Sequence, residues 1–327
     1  MKSIVVTKNE DGIKLTKFLK NVFRDMPDSL LHKLLRKKYF KINDKKADGS
    51  EILKTNDTIY VYFADETFDK FYTGADKKTE ISNINVDIDK YLYDRIVYED
   101  ENVIIYNKPI GLLSQSSSRG DISANDILCN YVVKRDKDSL SSGVYNFRPS
   151  IMNRLDRNTE GLIIFAKTYL ASRLISEMIR DGNIEKHYKT IVNGVIDADN
   201  DELINLYKKD EENNKAIIKE YKNSFDDGEY SIVKLKYKVL KRFKDSTLLD
   251  IDLLTGKSHQ IRAQLSYIGH SIICDKKYMD NNLYDENVKK YSLKHQKLIC
   301  YYIKFGVIEN ENLDYLSNKV FKIETNF

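Results

Sequence analysis

The sequence predicts an α+β protein that has a small N-terminal unit and a larger unit built on a mixed, largely antiparallel β-sheet with flanking helices. Two patterns support this prediction. Between residues 10 and 64, two stretches with apolar residues at helical spacing precede short segments of alternating polarity. From about residue 93, segments typical of strands are separated by amphipathic stretches typical of helices. We therefore place the units at residues 1–65 and 93–327, joined by a linker at 66–92.

Length and composition agree with two folded units and exclude several classes of protein. The chain has 327 residues, enough for two hydrophobic cores, and a formal net charge of only +4. No stretch approaches the roughly 20 apolar residues of a membrane span, and the N-terminus lacks the pattern of a signal peptide. The three cysteines fit neither a disulfide framework nor a zinc-ligand spacing. We therefore expect a cytoplasmic protein that is not in a membrane and has no metal site.

The N-terminal unit combines two short helices with a concentration of positive charge. Apolar residues recur at helical spacing over 15–23 and again over 30–35. Four cations crowd the other side and the end of the second helix, namely Lys33, Arg36, Lys37 and Lys38. Two helices followed by short strands, with a basic second helix, resemble an S4-type RNA-binding domain. We predict that the four cations contact RNA; on charge alone, a merely solvated helix face is the alternative.

In the larger unit, the elements are predicted in the following order. An apolar run at 103–106 and a continuous one at 162–165 are typical of strands, the second of a buried strand. A helix follows over about 170–178. Later segments alternate in polarity, and a helix is expected to begin near Ser258. The alternating segments lie at about 184–196, 231–240 and 246–254, whereas the acidic stretch 197–228 is predicted to be rich in loops.

The first chemical cluster is a carboxylate between two guanidinium groups. Asp156 stands between Arg154 and Arg157, just before the buried strand. Nearby arginines favour the anionic form of a carboxylate, which suits a nucleophile or a base. They also suit a polyanionic substrate. The alternative for this run alone is an aspartate that caps a turn or bridges surface arginines.

Two further clusters carry candidate site residues. Tyr188 lies in an alternating segment, where it could stack on a base or simply belong to the core. Downstream, Gly256 is followed by Lys257 and Ser258. The phosphate-binding loop of nucleoside triphosphatases would need a glycine five positions before Gly256, where Ile251 stands. The sequence therefore excludes a nucleoside triphosphatase of this type. A strand end, a glycine turn and a helix start still form a good anion site.

On that helix, His259 and Arg262 are spaced to share one face while Ile261 and Leu265 share another. Arg262 could therefore reach a partner in a site while its neighbours pack. The sequence pattern alone does not say which group that partner is.

Together, five segments in the same order resemble the motifs of the RluA-type pseudouridine synthases. Residues 153–161 resemble the family's His-Arg-Leu-Asp segment, and residues 255–264 resemble its Thr-Gly-Arg-x-His-Gln-Ile-Arg segment. The other three matching segments lie at 98–111, 185–188 and 293–305. The preceding S4-like unit is similar to that of the RluC and RluD members, which act on large-subunit ribosomal RNA.

The resemblance implies a function and a role for each matching residue. The family isomerises uridine to pseudouridine without a metal or cofactor, and its catalytic aspartate corresponds to Asp156. Arg262 matches the arginine that pairs with this aspartate. Tyr188 matches the tyrosine that stacks on the flipped uracil, and Arg154 matches the arginine that enters the RNA helix. We expect further RNA contacts from Arg157, Lys257 and His259, large-subunit rRNA or its precursor particle as the partner, and a monomeric enzyme.

The sequence departs from the family pattern at five positions and leaves two alternatives open. Asn153 replaces histidine, Glu160 replaces serine, Lys257 replaces arginine, Gln264 replaces histidine and Cys274 replaces glycine. The departures leave the proposed catalytic set in place. The alternatives are a non-catalytic RNA-binding or ribosome-assembly factor, and a pseudouridine synthase that acts on transfer RNA.

Overall fold

The computed structural model describes residues 2–7, 10–72, 89–118, 120–135, 147–222 and 228–327. Most of the predicted linker, residues 73–88, lies outside these ranges. One hydrophobic core forms in the N-terminal unit and a larger one in the larger unit, which also contains a small separate cluster around Tyr207 and Val233.

The N-terminal unit packs two helices on a small sheet. The elements are β1 (Lys2–Val5), α1 (Leu15–Val22), α2 (Asp28–Arg36), β2 (Phe40–Ile42), β3 (Lys45–Lys46), β4 (Thr58–Val61) and α3 (Asp65–Phe71). The strands follow the order β1-β4-β2-β3. Leu15, Phe18 and Leu19 bury one face of α1, and Leu31 and Leu34 bury one face of α2.

Helix α3 corrects the predicted boundary of the linker. Phe68 of this helix is buried in the N-terminal core, stacks on Tyr72 at 4.5 Å and meets Phe23 edge-on at 5.6 Å. The aromatic residues bury enough surface to order a segment too short to show an apolar period. The N-terminal unit therefore extends beyond residue 65, and a second short helix, α4 (Asp89–Leu92), also falls within the predicted linker.

The larger unit is a mixed α+β structure, which confirms the predicted class. Its strands are β5 (Ile96–Glu99), β6 (Val103–Lys108), β7 (Ser150–Ile151), β8 (Glu160–Ala166), β9 (Ile184–Asn193), β10 (Asn200–Asp210), β11 (Lys215–Glu220), β12 (Ser231–Arg242), β13 (Ser246–Leu253), β14 (Leu298–Phe305) and β15 (Val320–Lys322). They form a sheet with the path β11-β10-β12-β13-β9-β14-β8-β6-β5; β7 pairs with β8, and β15 pairs with β14. The flanking helices are α5 (Ala124–Arg135), α6 (Tyr169–Arg180), α7 (Gln260–Tyr267) and α8 (Asn281–Tyr291).

The prediction of a loop-rich stretch at 197–228 is wrong. Strands β10 and β11 form an antiparallel hairpin there. Leu203, Asn205 and Tyr207 are buried on one face of β10, and Ile204 and Leu206 lie between them on the other face. Charged residues at both ends of the strand dominate the composition of the segment and hide the short alternation of buried and more exposed positions.

Pairing of β8 with β14 depends on Gly161. These two strands are parallel, with Ile299 opposite Glu160 and Cys300 opposite Gly161. Gly161 has a φ of +122°, and a Cβ at this position would lie 2.1 Å from the Cys300 carbonyl oxygen. Only glycine allows the two backbones to approach so closely.

The two units meet where α1 approaches α6. The Lys17 ammonium lies 4.7 Å over the Tyr169 ring, and Tyr169 packs against the N-terminal core. Across the described ranges, no helix has the length and apolar character to cross a membrane.

Candidate active site

Asp156 lies on a short loop that leads into β8. Asn153 fixes this loop: its side-chain amide donates to the Leu162 carbonyl at 3.3 Å, and its side-chain oxygen accepts from the Ile164 N–H at 2.8 Å. Leu155 is buried, and its N–H donates to the Ser114 hydroxyl at 2.9 Å. Asparagine at position 153, where the family motif has histidine, therefore still ties the loop to the strand.

Arg262 joins Asp156 to a second carboxylate. Its Nη1 donates to Asp156 Oδ2 at 2.8 Å. Its Nε and Nη2 donate to Asp275 at 2.7 and 2.8 Å. The side-chain exposures are 8% for Arg262, 0% for Asp275 and 24% for Asp156. Charge-assisted hydrogen bonds in two directions thus fix the guanidinium, and the contact between Arg262 and Asp156 implied by the resemblance is present.

The two carboxylates also stabilise the charged form of Arg262. Burial alone would lower the pKa of Arg262, but hydrogen bonds and charge from Asp275, together with Asp156, raise it above its ordinary value. The arginine is therefore a permanent cation beside Asp156.

Asp275 follows an unusual backbone position. Cys274 is buried and has a φ of 58°, in the left-handed region that favours glycine. The glycine of the family pattern corresponds to this position, and a left-handed backbone conformation accounts for a glycine there. Cysteine here retains the turn that directs Asp275 towards Arg262.

His259 lies beside Asp156, at the start of α7. Its backbone is left-handed, with a φ of 58°, and the helix begins at Gln260, two residues after the predicted start. Its Nδ1 is 3.0 Å from the Tyr278 hydroxyl, and its Nε2 is 3.8 Å from Asp156 Oδ2. Burial lowers the pKa of His259, against the opposing charge of Asp156. The RNA contact of His259 stays a prediction; the structure places its partly buried ring beside the carboxylate of Asp156.

Tyr188 lies on β9, opposite Cys300 on β14 and Ile251 on β13. The residue is 5% exposed. Burial raises the pKa of Tyr188 well above its ordinary value, and the charges that add to this rise include Asp156. Tyr188 is therefore a neutral phenol in the central part of the sheet, within electrostatic reach of Asp156.

Lys108 is a site-adjacent residue to which sequence analysis gave no role. Its side chain is fully buried, and its ammonium donates to the carbonyls of Pro109, Leu112 and Arg157 at 3.0, 2.9 and 3.1 Å. Burial lowers the pKa of Lys108 to about 8, while Asp156 partly opposes this effect. Lys108 thus links the end of β6 to the residue that follows Asp156. The signal that could have found it is a lysine at the end of an otherwise apolar strand.

Asp275 and Tyr278 were likewise missed as site residues. Tyr278 accepts a hydrogen bond from the Ala216 N–H at 2.6 Å, and the Arg262 guanidinium lies 5.1 Å from the centre of its ring. Burial raises the pKa of Tyr278 to about 12. Both residues lie in the short polar segment 275–278 that follows α7. This segment has no periodic pattern that could have marked them as site residues.

Gln264 shows how another departure from the family pattern is accommodated. Its amide nitrogen donates to Asn205 Oδ1 at 2.7 Å and to the Leu203 carbonyl at 3.2 Å, and its oxygen accepts from Gln260 at 2.9 Å. All three contacts are buried, so the amide is satisfied and ties α7 to β10.

The predicted RNA-binding residues form two groups. Arg154, Arg157 and Lys257 are exposed around the Asp156 loop and the start of α7. Arg157 donates to the Gly111 carbonyl at 3.0 Å, whereas Arg154 has no hydrogen bond or ion pair within the described ranges. The second group is exposed on the N-terminal unit, and the described residues include no hydrogen bond or ion pair between it and the Asp156 loop. It consists of Lys33, Arg36, Lys37 and Lys38.

No group of three or more histidine, cysteine, aspartate or glutamate side chains within the described residues is arranged to hold a metal ion. The polar groups around Asp156 are instead connected to one another. A carboxylate held by a buried arginine, with a tyrosine and a histidine nearby, is an arrangement for nucleophilic or proton-transfer chemistry. Fold and site together therefore define an enzyme.

Comparison with known proteins identifies which enzyme family this is. Residues 102–267 match the family of RNA pseudouridylate synthases. An uncharacterised RNA pseudouridine synthase of Mycoplasma capricolum is 31% identical over 98% of this chain and 96% of its own length. The ribosomal large subunit pseudouridine synthase C of Rickettsia bellii is 26% identical over 86% of this chain and 87% of its own length. The chain belongs to the RNA pseudouridylate synthase family, in its RluA-type branch, and is thus an isomerase.

A solved structure supports the fold independently. The human RNA pseudouridylate synthase domain containing 4 aligns with a TM-score of 0.51 and 21% identity, over 67% of this chain and 86% of its own. At this identity the likeness concerns the fold alone.

Proposed function

We propose that this enzyme converts specific uridines of large-subunit ribosomal RNA to pseudouridine, with Asp156 as its catalytic carboxylate. The observation that carries the proposal is the 2.8 Å hydrogen bond from Arg262 to Asp156, which joins residues 106 positions apart. This bond brings two of the sequence motifs into one site. It also holds the carboxylate in a fixed orientation before the substrate arrives.

The chemistry requires a group that acts on the sugar of the target uridine. The N1–C1′ bond breaks, the uracil turns, and a C5–C1′ bond forms; C5 loses a proton and N1 gains one, so that the product is an isomer. Arg262 binds Asp156 through Oδ2, and Oδ1 is the oxygen available to the substrate. This oxygen can attack C1′ as a nucleophile or remove a proton in a glycal route. Both routes remain open in the proposal.

Base flipping brings the uridine to this oxygen. Extruding a base from folded RNA costs a few kcal/mol. Arg154 is exposed beside the Asp156 loop and has no partner in the described part of the chain, which suits a side chain that enters the RNA as the base leaves. Tyr188, neutral and held between β13 and β14, supports the flipped uracil by stacking.

The substrate class rests on two further observations. Relatives named ribosomal large subunit pseudouridine synthase C align over most of this chain. The N-terminal unit presents exposed cations on α2, as an S4-type RNA-binding domain does. We therefore propose that residues 1–72 bind ribosomal RNA or its precursor particle and that residues from 93 onwards catalyse the reaction. A ribosomal substrate would place the enzyme in the cytoplasm, and the proposal requires no metal ion, organic cofactor or second copy.

The test is position-by-position mapping of pseudouridine in large-subunit ribosomal RNA from cells with and without the gene, complemented by variants. Asp156→Asn should restore no modification and should leave the fold intact. Asp199→Asn is the matched control, because Asp199 also pairs with an arginine but is 79% exposed; it should restore full modification.

Three outcomes would change the conclusion. Full modification by Asp156→Asn would refute the catalytic assignment. If loss of the gene removed pseudouridine only from transfer RNA, the enzyme would be a pseudouridine synthase that acts on transfer RNA. An unchanged pseudouridine map together with defective ribosome assembly would favour a non-catalytic assembly factor.

A further inference from the structure

We infer that His259 is a positioning residue for Asp156, held in one tautomer by Tyr278, and not an RNA contact. This inference rests on the proposed role of Asp156. It follows from the hydrogen bonds that surround the Tyr278 hydroxyl and from the distance between the imidazole and the carboxylate.

The Tyr278 hydroxyl determines which nitrogen of His259 carries the proton. The Ala216 N–H donates to this hydroxyl at 2.6 Å, so the hydroxyl oxygen already serves as an acceptor. Its own proton needs an acceptor in turn, and the structure provides His259 Nδ1 at 3.0 Å. A neutral imidazole that accepts at Nδ1 carries its proton on Nε2. The chain of hydrogen bonds therefore runs from the β11 backbone through Tyr278 to His259.

The protonated nitrogen faces the catalytic carboxylate. His259 Nε2 is 3.8 Å from Asp156 Oδ2, beyond normal hydrogen-bond length. Contacts of this kind commonly tighten when substrate binds. Arg262 donates to the same oxygen, so two donors converge on Oδ2. The carboxylate is thereby oriented with Oδ1 towards the substrate.

The surroundings of His259 favour its neutral form. Burial lowers the pKa of His259, as do the cations Arg262 and Lys277, while the carboxylates of Asp156 and Asp275 oppose them. A neutral donor can hold the carboxylate without adding a second full positive charge, which would weaken Asp156 as a nucleophile or base.

Tyr278 supports both donors to Asp156. Its hydroxyl meets His259, and its ring lies 5.1 Å from the Arg262 guanidinium. The His259 and Tyr278 rings are perpendicular, with centroids 5.7 Å apart. The left-handed backbone of His259, with a φ of 58°, directs the ring into this position.

A matched pair of substitutions tests the inference. The Gln amide nitrogen can take the place of Nε2, whereas the Asn amide can take only that of Nδ1. We expect His259→Gln to retain kcat within about threefold and His259→Asn to lower kcat by roughly 10- to 100-fold, the rate equivalent of one hydrogen bond to a charged group. KM for the RNA substrate should change little in both.

The predicted order, with His259→Gln more active than His259→Asn, is opposite to the order expected if only the ability to adopt the left-handed backbone mattered. Asparagine adopts the left-handed region more readily than glutamine, so damage to the fold would affect His259→Gln first. An RNA contact would give a third pattern, in which both variants raise KM and leave kcat unchanged. Either of the last two patterns would overturn the inference.

Tyr278→Phe tests the tautomer directly. It should lower kcat to a similar extent, and its combination with His259→Asn should be no worse than either single change, because both remove the same arrangement. Additive losses would overturn the link through Tyr278. A wild-type enzyme that forms no pseudouridine would instead refute the proposed function itself, so the two failures are distinguishable.

Discussion

Replacing Asp275 with asparagine tests how much Asp275 contributes to holding Arg262, the arginine that binds Asp156. Asp275 is fully buried and binds Arg262 through two hydrogen bonds of 2.7 and 2.8 Å. Asparagine has nearly the same shape, but it carries no charge and offers one oxygen instead of two. Its amide nitrogen would face a guanidinium N–H, so that one hydrogen bond becomes a contact between two donors.

The size of the effect follows from the burial of the pair. Breaking a buried ion pair by changing one partner costs about 3–5 kcal/mol. Asp156 stays beside Arg262 and still neutralises part of its charge, so we expect a loss of about 3 kcal/mol in the free energy of unfolding. With a urea m value of about 3 kcal/mol/M, the midpoint of the transition should fall by about 1 M. Activity should also fall, because Arg262 would no longer be held towards Asp156.

The assay compares urea unfolding and pseudouridine formation in Asp275→Asn with the same measurements in Asp199→Asn. Asp199 forms an exposed pair with Arg242, and this pair should contribute no more than about 1 kcal/mol. Equal midpoints for the two variants would contradict the view that Asp275 holds Arg262 in place. An Asp275→Asn protein that is destabilised but fully active would show that Arg262 is positioned by Asp156 alone.

Two further predictions concern the framework of the site. Gly161→Ala should lose more than about 4 kcal/mol of stability, because its Cβ would meet the Cys300 carbonyl oxygen at 2.1 Å; Gly182→Ala, with a φ of +74° and no atom within 4 Å, should lose only about 1–2 kcal/mol. Similar unfolding midpoints for the two would refute this steric argument. Lys108 has its pKa lowered from 10.5 to about 8 by burial, so between these pH values the unfolded chain holds a proton that the native state has released. The wild-type free energy of unfolding should therefore rise with pH across this window, by at most about 3 kcal/mol. Lys108→Met should lack that rise in urea titrations at pH 8 and 10, and a constant difference between the two proteins would contradict the lowered pKa.

Sequence reasoning succeeded where one local pattern determines one local structure. The continuous apolar run at 162–165 becomes the buried strand β8, and the alternating segments become β9, β12 and β13. It failed at β10 because a strand whose two ends are charged has, over the whole segment, the composition of a loop. The same limit applies to α3, whose order depends on aromatic partners elsewhere in the N-terminal core.

The site was predictable in its motifs but not in its connections. The pairing of Arg262 with Asp156 came from a family resemblance, since nothing local relates two residues so far apart in the chain. Lys108 would be expected in solvent from its sequence, and only the convergence of three carbonyl groups explains its burial. The position of His259 beside Asp156 was not predicted, because its left-handed backbone, which turns the ring towards Asp156, leaves no mark in the sequence.

The position of β14 has a consequence for how the enzyme is synthesised. This strand comes late in the chain, yet it lies between β8 and β9 in the sheet. The Asp156 loop leads into β8 and Tyr188 lies on β9, so the two halves of the site share no edge until residues 298–305 have left the ribosome. A nascent chain shorter than this contains Asp156, Tyr188 and Arg262 but has unpaired strand edges and an unassembled site. The site can therefore assemble only after residues 298–305 have been synthesised.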